Sequence, residues 1–94
     1  MDRKNTIFVN VKVIAPDCIM ENAAVVVKDG SIKDVSQKYD SWDSFDGIKV
    51  DGQGCYLSPG FIDIHCHGGG GHDFMDATPK AFIGACETHS RFGT

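Results

Sequence analysis

An apolar run that ends in two histidines and opens onto four consecutive glycines constrains the fold more than any other feature of this chain. The run covers residues 60–64, the histidines are His65 and His67, and the glycines occupy positions 68–71. Residues 61–66 are largely apolar on both faces, which is typical of a strand covered on both sides, as in a parallel α/β sheet. We therefore expect a buried strand here, followed by a glycine loop.

Side-chain alternation along this predicted strand brings the two histidines together. Residues two apart point to the same face, so His65 and His67 share a face with Asp63, and Cys66 points away. Neutral imidazoles bind zinc and similar ions, which makes His65 and His67 the candidate metal ligands. Asp63 is placed to support them. His72, just beyond the glycines, is either a third ligand or a loop residue.

The first 57 residues predict a small antiparallel, sandwich-like β domain. Its β-prone runs are residues 6–14, 23–28, 31–35, 48–50 and 55–57. The first run alternates, and one apolar face is expected to hold Ile7, Val9, Val11 and Val13. Asp29-Gly30 predicts a tight hairpin, because a type I′ turn needs positive φ at both central residues.

Residues 58–94 predict a strand, a glycine-rich loop and a helix. Thr78 is the expected N-cap and Pro79 the first helical residue. Phe82, Cys86 and His89 fall on one stripe, which should pack against the rest of the protein. Strand, loop and helix in this order form one β/α unit. We expect the first unit of a TIM-type barrel, left incomplete here because a whole barrel takes about 250 residues, and hence part of a larger α/β protein.

Composition excludes several classes of protein. The 94 residues are 41% apolar and carry a formal net charge of −4, which disfavours nucleic acid and anionic membranes as partners. No apolar run approaches the roughly 20 residues of a membrane span, and no signal-peptide pattern follows the N-terminus. A cytoplasmic location is expected. The four cysteines form no Cys-x-x-Cys pair, and we expect reduced, mostly buried thiols; two disulfides are the alternative for a secreted protein.

Residues 57–68, Leu-Ser-Pro-Gly-Phe-Ile-Asp-Ile-His-Cys-His-Gly, resemble the signature of the amidohydrolase superfamily. Within it, residues 68–78 and 87–94 are similar to N-acetylglucosamine-6-phosphate deacetylases of amino-sugar metabolism. The resemblance implies a β domain before a metal-bearing barrel, and hydrolysis of N-acetylglucosamine 6-phosphate to glucosamine 6-phosphate and acetate. It implies that His65 and His67 are metal ligands and that the full-length protein is a homodimer.

The divalent ion expected from the two histidines and the resemblance is zinc, with iron, manganese, cobalt or nickel as alternatives. The family's catalytic aspartate, its other ligands and its phosphate-binding residues match no position here. We therefore assign no catalytic residue and no cofactor-binding residue other than the two metal ligands, and we expect the 94-residue chain alone to be inactive.

Two other functions remain open from the sequence. The chain could belong to an amidohydrolase that cleaves a cyclic amide or a dipeptide, like dihydroorotases and hydantoinases. It could also be a small β domain that binds metal or partners without catalysis. The apolar character of both faces of residues 61–66 argues against the second alternative.

Overall fold

The computed structural model describes residues 5–37 and 42–94. The chain divides into two compact units, Met1–Pro59 and Gly60–Thr94. Among the described residues, none of the helices has the length and apolar character needed to cross a bilayer.

The first unit is a five-stranded sheet. Its strands are β1 (Asn5–Ile14), β2 (Ile19–Lys28), β3 (Ser31–Ser36), β4 (Ile48–Asp51) and β5 (Tyr56–Leu57). The order across the sheet is β3-β2-β1-β4. β5 also pairs with β1, at residues further along that strand than those paired with β4. A 3-10 turn, Trp42–Ser44, precedes β4. The hairpin predicted at Asp29-Gly30 is confirmed: Lys28 pairs with Ser31, and the two turn residues have φ angles of 51° and 77°.

The sheet is mixed, which corrects the prediction of an antiparallel unit. β1 pairs antiparallel with β2, but both β4 and β5 run parallel to β1. The chain that leaves β3 passes to the far side of β1 before it forms β4, so β4 enters the sheet in the direction of β1. Within the described residues the expected sandwich-like domain is represented by this one sheet.

A β-bulge at Asn10 divides the apolar residues of β1 between two faces, so the prediction of a single face was wrong. Asn10 has φ 54°, and the register with β2 shifts between Phe8 and Val11. The cluster on one face holds Ile7, Val9, Ala24 and Val26, with Phe45 packed against it. The cluster on the other holds Val11, Val13, Ala23 and Val25, with Phe8, Met20, Val27 and Leu57 beside it. The sheet therefore has two apolar faces.

The connection between β4 and β5 follows this bulge closely. The Asn10 side-chain amide donates to Asp51 at 3.2 Å, and the Gly54 N–H donates to the Asn10 carbonyl oxygen at 2.8 Å. A Cβ at Gly52 would collide with the Val11 side chain, so the close approach requires glycine.

The second unit contains a short hairpin, a 3-10 turn and a helix. These elements are β6 (Gly68–Gly69), β7 (His72–Asp73), the turn Phe74–Asp76 and α1 (Pro79–Arg91). The predicted helix start is confirmed: the Thr78 hydroxyl accepts a hydrogen bond from the Ala81 N–H at 3.1 Å, and Pro79 is the first helical residue. The buried stripe of α1 contains Ala81 and Ala85, with Gly84, Thr88 and His89 beside them.

Residues 61–66 do not form the predicted strand. They pair with no strand among the described residues, and the side chains of Ile62 and Ile64 are 89% and 95% exposed. A strand exists only through hydrogen bonds to a neighbour, and neither the hairpin nor α1 supplies one. The described residues thus form a mostly β protein with one α-helix and no closed barrel, and the predicted TIM-type β/α unit is not shown.

Candidate metal centre

The two candidate ligands lie on a stretch of chain without regular secondary structure, residues 61–67, referred to below as the histidine segment. Its backbone is held at both ends. The Phe61 N–H donates to the Gly93 carbonyl oxygen at 2.6 Å, and the Phe74 N–H donates to the His67 carbonyl oxygen at 2.9 Å. The segment is therefore tied to the C-terminal end of α1 and to the 3-10 turn that follows the hairpin.

The side chains of His65 and His67 lie side by side. Their ring centroids are 5.3 Å apart, the ring planes are 85° apart, and both residues are exposed. Two imidazoles bound to one tetrahedral zinc, with Zn–N bonds of about 2.0–2.1 Å, have centroids about 5 Å apart. The pair that alternation predicted is brought together, at a separation that suits a shared ion.

Asp63 directs its carboxylate to its own backbone. The Oδ1 atom accepts a hydrogen bond from the His65 N–H at 3.0 Å, two residues along the chain. This is an Asx turn, which fixes the backbone just before His65. Asp63 thus orients the main chain of the pair, and one of its oxygens is engaged in doing so.

The glycine run is a hairpin, where the sequence predicted a loop. Gly70 and Gly71 form its turn with φ angles of 59° and 80°, so the turn is of the kind that favours glycine. A Cβ at Gly70 would collide with the Thr88 side chain of α1. The glycines allow the hairpin backbone to pack directly on the helix.

His72 packs on α1. A Cβ at Gly84 would collide with the His72 ring, so this imidazole covers the backbone of the helix at a position without a side chain. Among the described residues, no group of three or more His, Cys, Asp or Glu side chains is placed to hold a metal ion. The structure thus brings together His65 and His67, and His72 does not join them in such a group.

Cys66 is exposed, and the expectation of mostly buried thiols was wrong. Cys18, Cys55, Cys66 and Cys86 are all free and exposed. Cys66 was expected to point away from the histidines on a strand covered on both sides, and that strand does not form among the described residues. Phe82 and Cys86 lie outside the buried stripe of α1. The hairpin backbone lies so close to the helix that the stripe facing it has small side chains, Ala81 and Ala85.

His89 was expected on the packed face of the helix, and it is half-buried there, but its hydrogen bond to the hairpin was not predicted. Its Nε2 atom lies 2.9 Å from the carbonyl oxygen of Gly68, the residue that follows His67. The available signal was its position four residues after Ala85 and eight after Ala81, on the stripe of small residues.

Comparison with known proteins adds one relationship. No protein-family model matches the chain. Over 72 residues, 76% of its length, the chain is 36% identical to a protein of Lysinibacillus sphaericus named N-acetylglucosamine-6-phosphate deacetylase. The chain spans only 18% of the length of that relative. The similarity supports a relationship to the deacetylase family over a short segment.

Proposed function

We propose that this chain provides the first two metal ligands, His65 and His67, of an enzyme that deacetylates N-acetylglucosamine 6-phosphate. The observation that carries the proposal is the separation of 5.3 Å between the two rings. The similarity to the Lysinibacillus sphaericus protein supports the substrate, since that relative is named as a deacetylase of N-acetylglucosamine 6-phosphate.

The donor set fits a divalent ion. Two exposed imidazoles at this separation suit zinc, iron, manganese, cobalt or nickel, and zinc is the proposed ion. An ion bound there would supply Lewis-acid chemistry, polarising an amide carbonyl and lowering the pKa of a water molecule. Because two histidines alone bind weakly, further ligands and the general base come from other parts of the complete protein.

The residues of this chain have a positional role in the proposed reaction. His65 and His67 present two imidazole rings whose centroids lie 5.3 Å apart. The Asp63 carboxylate accepts a hydrogen bond from the His65 N–H, and the His67 carbonyl oxygen accepts one from the Phe74 N–H. The main chain is therefore fixed on both sides of the pair. A pair that is already ordered loses less side-chain freedom when it binds an ion.

Acetate release by the complete protein that contains this chain tests the proposal. We expect His65→Ala and His67→Ala each to reduce kcat/KM for N-acetylglucosamine 6-phosphate by at least 100-fold, whereas Cys66→Ser, which changes the residue between them, retains activity. The 94-residue chain alone should release no more acetate than its H65A/H67A variant.

The substrate is tested separately from the metal. The complete protein should hydrolyse the sugar phosphate in preference to dihydroorotate, hydantoins and dipeptides. Preference for one of these would contradict the deacetylase proposal but leave an amide hydrolase. Full activity in the H65A/H67A variant would contradict the metal role itself.

A further inference from the structure

The last turn of α1 and the residues that follow it contact the backbone on both sides of the histidine segment. At the first end, the Gly93 carbonyl accepts the Phe61 N–H at 2.6 Å. At the second end, the ring of His89 meets the carbonyl oxygen of Gly68 at 2.9 Å. Residues 89–93, the end of α1 and the two residues beyond it, therefore hold the backbone at both ends of the segment that carries His65 and His67.

The hydrogen bond from His89 has a defined direction. A carbonyl oxygen only accepts, so Nε2 of His89 carries the hydrogen and donates it. The ring is half-buried and lies against Gly69, where a Cβ would come within 3.0 Å of Nε2. The hydrogen bond is thus partly shielded from water, and the glycine backbone allows the ring to reach it.

Within the described residues, His89 is the α1 side chain that is hydrogen-bonded to the hairpin backbone. Thr88 also contacts the hairpin, but its hydroxyl donates to the Gly84 carbonyl oxygen of its own helix at 2.9 Å. Thr88 therefore contacts the hairpin only by packing, whereas His89 holds one particular carbonyl group of the hairpin by a hydrogen bond. That carbonyl belongs to the residue immediately after His67.

We propose that His89 is a positioning residue for the two metal ligands, His65 and His67, an inference that rests on the proposed function. Its ring fixes Gly68, while the Phe74 N–H fixes the His67 carbonyl, and together they set the direction in which the His67 ring leaves the backbone. Without the donor, the first strand of the hairpin moves more freely, and the pair must be ordered at the moment of metal binding. Groups that orient ligands in this way typically change metal affinity by about 10- to 100-fold.

Affinity of the 94-residue chain for Zn²⁺ and Co²⁺, measured by competition with a chromophoric chelator, tests the proposal. His89→Leu, which removes the donor at similar volume, should weaken binding about tenfold and alter the Co²⁺ absorption spectrum. His89→Gln, whose amide nitrogen can donate at a reach close to that of Nε2, should restore affinity to within about threefold. His72→Ala is the matched control, since its ring also packs on α1, and it should leave affinity unchanged.

Two outcomes would overturn the proposal. One is wild-type affinity in His89→Leu. The other is equal weakening in His89→Leu and His89→Gln, which would show that only the volume of the ring matters. If His89→Leu loses the helix signal in circular dichroism, His89→Asn takes its place, because its shorter amide does not reach Gly68.

Failure of the proposed function would be seen separately. If the wild-type chain binds no metal more tightly than H65A/H67A, the metal role fails. Hydrogen exchange of the Phe74 amide, which donates to the His67 carbonyl, then decides the positioning inference. Faster exchange in His89→Leu, with slow exchange restored in His89→Gln, supports it, and unchanged exchange contradicts it.

Discussion

Replacement of Gly84 by alanine tests how closely the His72 ring lies on α1. A new Cβ would collide with Cδ2 and Nε2 of that ring and lie 2.9 Å from its Cγ. Two effects oppose each other. Alanine is favoured over glycine inside a helix by about 1 kcal/mol, and displacing a packed group typically costs about 1–3 kcal/mol. We expect a net loss of unfolding free energy between about 0 and 2 kcal/mol.

The same substitution in a His72→Ala background separates the two effects. Without the ring, Gly84→Ala should stabilise the protein by about 1 kcal/mol, because only the helix preference remains. The coupling free energy between the two positions is then about 1–3 kcal/mol. Glu87→Ala, at an exposed position of α1, is the control and should show no coupling to His72.

Urea unfolding followed by circular dichroism at 222 nm measures this cycle, since α1 is the one α-helix of the described residues. The reasoning would be refuted by an equal change in unfolding free energy for Gly84→Ala in both backgrounds. Such a result would mean that the ring of His72 does not rest on the helix, and His72 would again become a candidate ligand.

Three further predictions concern local structure. Gly30→Ala should destabilise the first unit by about 1–2 kcal/mol in urea unfolding, because the φ angle of 77° disfavours a residue with a Cβ. The cost comes from the backbone alone, since the new Cβ would meet no atom within 4 Å. Gly30→Asn should therefore cost less, and equal costs would contradict a backbone origin. Thr78→Ala should reduce stability by about 1 kcal/mol through loss of the N-cap hydrogen bond, whereas Thr78→Ser should not; a neutral alanine variant would contradict the cap. Partial desolvation, followed by the hydrogen bond and negative charge of Asp17, raises the pKa of the Cys18 thiol, so less thiolate is present at neutral pH. Asp17→Asn should therefore accelerate iodoacetamide labelling of Cys18 and move its pH midpoint down, as followed by mass spectrometry relative to Cys86 in the same sample, and an unchanged midpoint would contradict the role of Asp17.

The features that the sequence predicted correctly depend on neighbouring residues. Asp29-Gly30 determines its own turn through two positive φ angles, and Thr78-Pro79 supplies both the cap and the first φ angle of α1. Such signals need no partner elsewhere in the chain. The rings of His65 and His67 also lie close together, 5.3 Å apart between centroids, although the strand from which their pairing was predicted does not form.

The features that were missed depend on distant residues. The bulge at Asn10 is matched by contacts with residues 51–54, which lie about 40 positions later, and nothing in the alternating pattern of β1 reveals it. Cys66 is exposed because residues 61–66 form no strand. A buried strand needs neighbouring strands and a packed layer above it, and an apolar sequence pattern alone supplies neither. The hydrogen bond from His89 to Gly68 spans 21 residues and likewise has no local signature.

The most direct test of the account follows the four histidine rings by NMR while Zn²⁺ is added to the 94-residue chain. We predict that the ring signals of His65 and His67 shift together and saturate at one ion per chain. The signals of His72 and His89, which pack on or within α1, should change little. Equal shifts of all four rings, or a shift of one member of the pair without the other, would contradict a shared metal site.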